Sequence, residues 1–228
     1  MKILFIVMLL LSSLLSKFAS AQDWANTARF KKENDKLASP STSENRVVFM
    51  GNSITEGWLK LRPIFFANKP YINRGISGQT TPQMLVRFRQ DVINLKPKVV
   101  VILGGTNDIA GNTGPSTLEM IKDNIVSMAK LAKANGIKII ISSILPVYDY
   151  PWKPGLNPAE NIFALNAMLK DYADNNNIIY VDYYSAMVDE RKGLKAELGE
   201  DGVHPNEAGY IIMEPLLEKA ISRTLTQQ

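Results

Sequence analysis

Five short apolar runs recur along the chain, and most are followed by a stretch whose apolar residues return every three or four positions. The runs are RVVFM (46–50), PYINRG (70–75), KVVVIL (98–103), IKIIISSI (137–144) and NIIYVD (177–182). PYINRG is the weakest of them; KVVVIL is continuous and β-branched. Helix-period segments cover 81–95, 116–135, 158–174 and 206 to about 224, and Gly136 marks a helix end. A strand that is apolar throughout needs cover on both faces. Alternation with amphipathic helices supplies that cover and predicts an α/β domain built on a parallel sheet. In such sheets a ligand site lies outside the C-terminal ends of the strands. The segments directly after the runs therefore carry the functional question.

Two regions precede the pattern. The first 21 residues hold Lys2, an apolar run from Ile3 to Leu15 and the triplet Ala19-Ser20-Ala21. That is the layout of a secretory signal peptide, and it predicts cleavage after Ala21 and an exported (periplasmic or extracellular) protein. The apolar run is shorter than the roughly 20 residues a membrane span needs, so no stable insertion is expected after cleavage. Residues 22–45 read as an amphipathic helix from Asp23 to Ala38 and a polar linker, SPSTSEN, with one domain filling 46–228.

Composition narrows the chemistry. Cleavage removes Lys2 and Lys17 and lowers the formal charge from +4 to +2. With no Lys/Arg block to track phosphates, nucleic acid is not an expected partner. The absence of cysteine excludes thiol nucleophiles and disulfides, and a single histidine excludes a His-clustered zinc site. Neither a P-loop nor a G-x-G-x-x-G follows any strand.

Four loop segments remain. GNSIT (51–55) puts Ser53 where a helix would begin, among free backbone N–H groups; Asn52 or Ser53 could equally just cap that helix. NRGISGQTT (73–81) holds Gly75 and Gly78, which are turn residues or, in the case of Gly78, a fixed N–H donor. GGTNDIAGN (104–112) offers the Asn107 amide; Asn107 and Asp108 could also close a turn. DGVHP (201–205) contains His204, the only histidine, with Asp201 three positions before it. A serine hydroxyl needs a base near neutral pH, and a carboxylate that fixes the base's tautomer.

In order and spacing, GNSIT, the glycine loop, GGTND and DGVHP resemble the four blocks of the SGNH, or GDSL-type, hydrolase family. The resemblance spans Val47 to about Tyr210. It implies a three-layer α/β/α fold like flavodoxin, with a five-stranded parallel sheet, and ester hydrolysis through a serine without metal or organic cofactor. Carried over, Ser53 resembles the nucleophile, His204 the general base and acid, and Asp201 its orienting carboxylate. The Ser53 and Gly78 N–H groups and the Asn107 amide resemble the oxyanion donors. The family's GDS is GNS here, with Asn52 in place of an acid.

For substrate contacts the sequence offers VYDYPWKPGLNP (147–158), where alternation would set Tyr148, Tyr150 and Trp152 on one side of an extended chain. Trp58 is either core or cleft. The resemblance leans toward platelet-activating-factor-acetylhydrolase-like and lysophospholipase-like esterases, and the lack of a long apolar lid favours short acyl groups on glycans or small lipids. Acyl transfer on the same machinery, thioester hydrolysis and a non-catalytic glycan-binding module are the competing readings. Oligomeric state is not specified by the sequence.

Overall fold

The computed structural model describes residues 23–227; the segment read as a signal peptide lies outside them. Five parallel strands form one sheet: β1 (Val47–Gly51), β2 (Tyr71–Gly75), β3 (Val99–Leu103), β4 (Lys138–Ser142) and β5 (Ile179–Val181). Their order, β2-β1-β3-β4-β5, is that of flavodoxin-type sheets.

Strand pleat sorts the core into two layers. Val48 and Met50 of β1, Val100 and Ile102 of β3, and Ile139 and Ile141 of β4 face one side. There they meet α4 (Thr81–Asp91), α6 (Leu118–Ala134) and α7 (Ala159–Asn175). The alternate residues, Val47, Phe49, Val99, Val101 and Ile140, face the other side. That side is covered by α2 (Ser53–Leu61), α3 (Pro63–Phe66), α8 (Tyr184–Met187) and α9 (Glu207–Thr226). The result is the expected three-layer α/β/α fold. No helix among the described residues is long and apolar enough to cross a membrane.

The N-terminal helix is shorter than its amphipathic pattern predicts. Only α1 (Lys31–Lys36) is helical; residues 23–30 form turns. Asp23 accepts the N–H groups of Thr27 and Ala28 at 2.8 and 2.9 Å, and Asn26 sits at φ +52°, so the chain turns back on itself. Segment 23–36 is then strapped along α4 by polar side chains: Gln79 donates to the Ala25 carbonyl at 2.7 Å and Gln83 to that of Trp24 at 2.6 Å.

Register decides where the site falls. Gly51 pairs with Gly75 on one side and with Leu103 on the other, so β2, β1 and β3 end level. The loops carrying Gly78, Ser53 and Asn107 therefore leave the sheet side by side. The last of these turns into the short helix α5 (Thr106–Ile109).

Candidate active site

Helix α2 begins at Ser53, and Asn52 is its N-cap: the Asn52 Oδ1 accepts the Ile54 N–H at 3.1 Å. Asn52 thus keeps the acceptor that an aspartate would supply, while its Nδ2 is buried without a partner among the described residues. At the first helical position, the Ser53 N–H has no acceptor within the helix and points out of its N-terminus. Gly75 lets β2 approach this turn closely. A Cβ there would lie 2.2 Å from the Glu56 nitrogen and 2.8 Å from the Asn52 carbonyl oxygen.

The second component arrives from the far end of the chain. Asp201 Oδ1 accepts the backbone N–H groups of Val203 and His204 at 2.9 and 2.7 Å, folding DGVH into a tight turn. Asp201 Oδ2 meets His204 Nδ1 at 2.7 Å, and His204 Nε2 meets Ser53 Oγ at 2.9 Å. Burial pushes the Asp201 carboxyl up, but the hydrogen bonds from His204 and Val203 outweigh it and hold Asp201 below the usual carboxylate range. An ionised carboxylate on Nδ1 selects the Nδ1–H tautomer and leaves the Nε2 lone pair facing the serine hydroxyl. Helix α9 is pinned against α2 at this point: the Tyr210 hydroxyl donates to the Ile54 carbonyl at 2.7 Å, and Arg62 bonds Glu207 and Glu214 at 2.8 and 2.9 Å.

The third component is a set of donors. Gly78 has φ +76°, which favours glycine; a Cβ would meet nothing within 4 Å, so backbone conformation rather than space demands the glycine. The Gly78 N–H has no partner among the described residues. Asn107 is buried. Its Oδ1 accepts from Asn112 at 3.1 Å, and one Nδ2 hydrogen goes to the Gln79 carbonyl at 2.9 Å. An amide carries two such hydrogens, so one donor remains. Asn112, which fixes the orientation of the Asn107 amide, was not legible as a site residue. Its only signal is its place in the loop, five residues after Asn107.

The model of the GDSL-like lipase/acylhydrolase family matches residues 49–212. The chain belongs to that family. A solved GDSL-like lipase from Bacteroides thetaiotaomicron is 51% identical, with a TM-score of 0.86 over 87% of this chain and 98% of that one. Among curated relatives, an acetylxylan esterase of Xylanibacter ruminicola is 26% identical over 81% of this chain, and a lipoprotein of Bacillus subtilis is 34% identical over 36% of it. The chain spans 45% of the first of these and 35% of the second. Family and relatives together make the domain a carboxylic ester hydrolase.

Around the hydrolase site the aromatic candidates differ in burial. Trp58 is core: it stacks between Phe65 and Tyr210, at ring distances of 5.1 and 5.3 Å, and is 2% exposed. The chain is not extended through Tyr148, Tyr150 and Trp152: it folds back through a bridge between Tyr150 and Lys153, and the Tyr150 and Trp152 rings pack 5.0 Å apart. Tyr150 is buried and bonds the Thr106 carbonyl at 2.9 Å, behind Asn107. Tyr148 is turned toward Arg191, whose guanidinium lies 5.3 Å from its ring. Trp152 is exposed and lies 6.2 Å from the His204 ring. Beside His204 an open groove of about 730 Å3 runs between the end of α2 and the start of α9, lined by Leu61, Glu200, Pro205, Ala208 and Ile211.

Asp108 is structural. It is 2% exposed and accepts the Thr81 N–H at 2.9 Å and the Thr81 hydroxyl at 2.6 Å, capping α4 from outside. Burial, partly offset by the Thr81 bonds, pushes its carboxyl up to about 6.

Proposed function

We propose that the protein is an exported serine esterase in which Ser53, His204 and Asp201 act as a triad and the Ser53 N–H, the Gly78 N–H and the Asn107 amide bind the oxyanion. The alignment of Ser53 Oγ, His204 Nε2, His204 Nδ1 and Asp201 Oδ2 at 2.9 and 2.7 Å carries this reading. His204 takes the serine proton as Oγ attacks the ester carbonyl. The oxyanion then sits among the three donors, each worth roughly 2.7–4 kcal/mol in the transition state. His204 next gives its proton to the leaving alcohol. Water, deprotonated by the same ring, attacks the acyl-enzyme, and Ser53 recovers its proton as the acid departs.

The substrate is read as a short acyl ester on a larger alcohol. His204 must face the leaving oxygen, and the groove of about 730 Å3 opens beside it, so the alcohol moiety belongs there. Trp152 offers an exposed ring for a sugar or an apolar group. The acetylxylan esterase relative supports an acetylated glycan, with a small lipid ester as the second reading. The signal-like N-terminus and the lipoprotein relative support a substrate met outside the cytoplasm.

Hydrolysis rates for acetyl, butyryl and octanoyl esters and for an acetylated xylan, measured on wild type and Ser53→Ala, test the proposal. The expected order is acetyl above butyryl above octanoyl, with the variant inactive and unlabelled by a fluorophosphonate. Full turnover by Ser53→Ala would sink the serine mechanism; preference for octanoyl would sink the substrate assignment alone.

A further inference from the structure

One buried cation sits beneath the site and touches neither substrate space nor solvent. Arg87, on α4, is 0% exposed. Its three faces are all committed. Nε donates to the Gln79 side-chain oxygen at 2.6 Å, Nη2 to the Gly51 carbonyl at 3.0 Å, and Nη1 to Asp91 at 3.0 Å. Asp91, 1% exposed, is held in turn by Asn34 at 2.8 Å, and Asn34 accepts from Arg74.

Two of these acceptors belong to the loops described above. Gly51 ends β1 and is separated from Ser53 by Asn52 alone. Gln79 follows Gly78 directly, and its carbonyl is the acceptor that holds the Asn107 amide. Its side-chain nitrogen is tied to the Ala25 carbonyl, so Gln79 is fixed at both ends. A planar guanidinium sets three acceptors at fixed angles in one plane, which a lysine ammonium cannot do. We infer that Arg87 is a positioning residue for the reaction: its guanidinium fixes the Ser53 turn against the Gly78–Gln79 loop and, through Gln79, the Asn107 amide. This rests on the proposed oxyanion site. Among the described residues Asp91 bonds Arg87 and Asn34 and neither loop; it neutralises the buried charge and so serves stability.

That division of labour gives a test. The full-length protein is compared with Arg87→Met, Arg87→Lys, Gln79→Met and Asp91→Asn by kcat, KM and Tm on an acetyl ester, all well below the lowest Tm. A displacement of about 1 Å in catalytic geometry costs about 10²-fold. Arg87→Met and Gln79→Met should each lower kcat at least about tenfold with KM within about threefold of wild type. Arg87→Lys should recover Tm relative to Arg87→Met while kcat stays low. Asp91→Asn should lose Tm and keep kcat within about twofold. If Arg87→Met does not fold, Gln79→Met decides. Kcat within about twofold of wild type in Gln79→Met or Arg87→Lys overturns the inference, as does an Asp91→Asn loss of kcat matching that of Arg87→Lys. Fluorophosphonate labelling of wild type at Ser53 separates the two failures. No labelling removes the underlying serine mechanism; normal labelling with unimpaired variants removes only the role of Arg87.

Discussion

Asp201→Asn is the most informative single substitution. The asparagine carbonyl can keep accepting the Val203 and His204 N–H groups that bond Asp201 Oδ1 at 2.9 and 2.7 Å, so the turn is retained. The other oxygen, 2.7 Å from His204 Nδ1, becomes an NH2 group. Two donors cannot share that contact, so the ring must carry its proton on Nε2. That places N–H against the Ser53 hydroxyl, 2.9 Å away, and removes the acceptor for its proton. The same exchange of tautomer in a serine protease lowers kcat about 10⁴-fold, which corresponds to about 5.5 kcal/mol of transition-state stabilisation. Stability should barely change, because the Asp201 and His204 side chains are 41% and 38% exposed and the ion pair is screened by solvent. The assay is kcat for an acetyl ester from about pH 6 to 9, beside Tm for both proteins. A fall in kcat below about tenfold at unchanged Tm would refute the tautomer argument. The sign of the pH effect also follows. Asp201 has a depressed carboxyl, so its stabilisation is present above its unfolded value and is lost only as pH falls through the lower folded one. Acidification from neutral pH down to the usual carboxylate range should therefore leave the Asp201–His204 turn in place.

Two further outcomes are expected. Trp152→Ala removes an exposed ring 6.2 Å from His204, so KM for a bulky acetylated glycan should rise about three- to tenfold, with Tm and the kcat for a small acetyl ester little changed; equal effects on large and small substrates would assign Trp152 to the chemistry instead. Asp108, pushed up to about 6 by burial, favours the folded state below its unfolded value near 3.8 and loses that contribution as pH rises to about 6; thermal unfolding should show wild type losing stability relative to Asp108→Asn, by on the order of 3 kcal/mol, between about pH 4 and 7.

Patterning carried most of the fold because it reports burial. β3 and β4 are covered on both faces and read as continuous apolar runs, whereas β2 is an edge strand, partly exposed at Tyr71 and Ile72, and its signal is correspondingly weak. Helix α4 stops at Asp91 and passes into a tighter turn over Ile93–Leu95, so the helix period ran on past the α-helix. The grouping of Ser53, Asp201 and His204 was legible because a serine–histidine–carboxylate relay would need those residue types after particular strands, and the chain brings them within hydrogen-bond distance. Tyr150 was not, since a period of two assumes an extended chain and the loop folds back at Lys153. Arg87 was invisible for a similar reason. A charged residue on an amphipathic helix is normally solvated, and only the tertiary approach of Gly51 and Gln79 gives this one its partners.

The joining of α9 to α2 has a consequence for how the enzyme is made. Asp201 and His204 lie three residues apart and can form their turn locally, but Ser53 stands 151 positions upstream. Closing so long a loop costs entropy that only long-range contacts repay. Tyr210, bonded to Ile54, and Arg62, bonded to Glu207 and Glu214, supply those contacts where the two ends meet. During synthesis the sheet's first strand emerges long before the turn that carries His204. Esterase activity is then a late event, returning in a refolding trace only when the C-terminal helix docks and after helical signal has recovered.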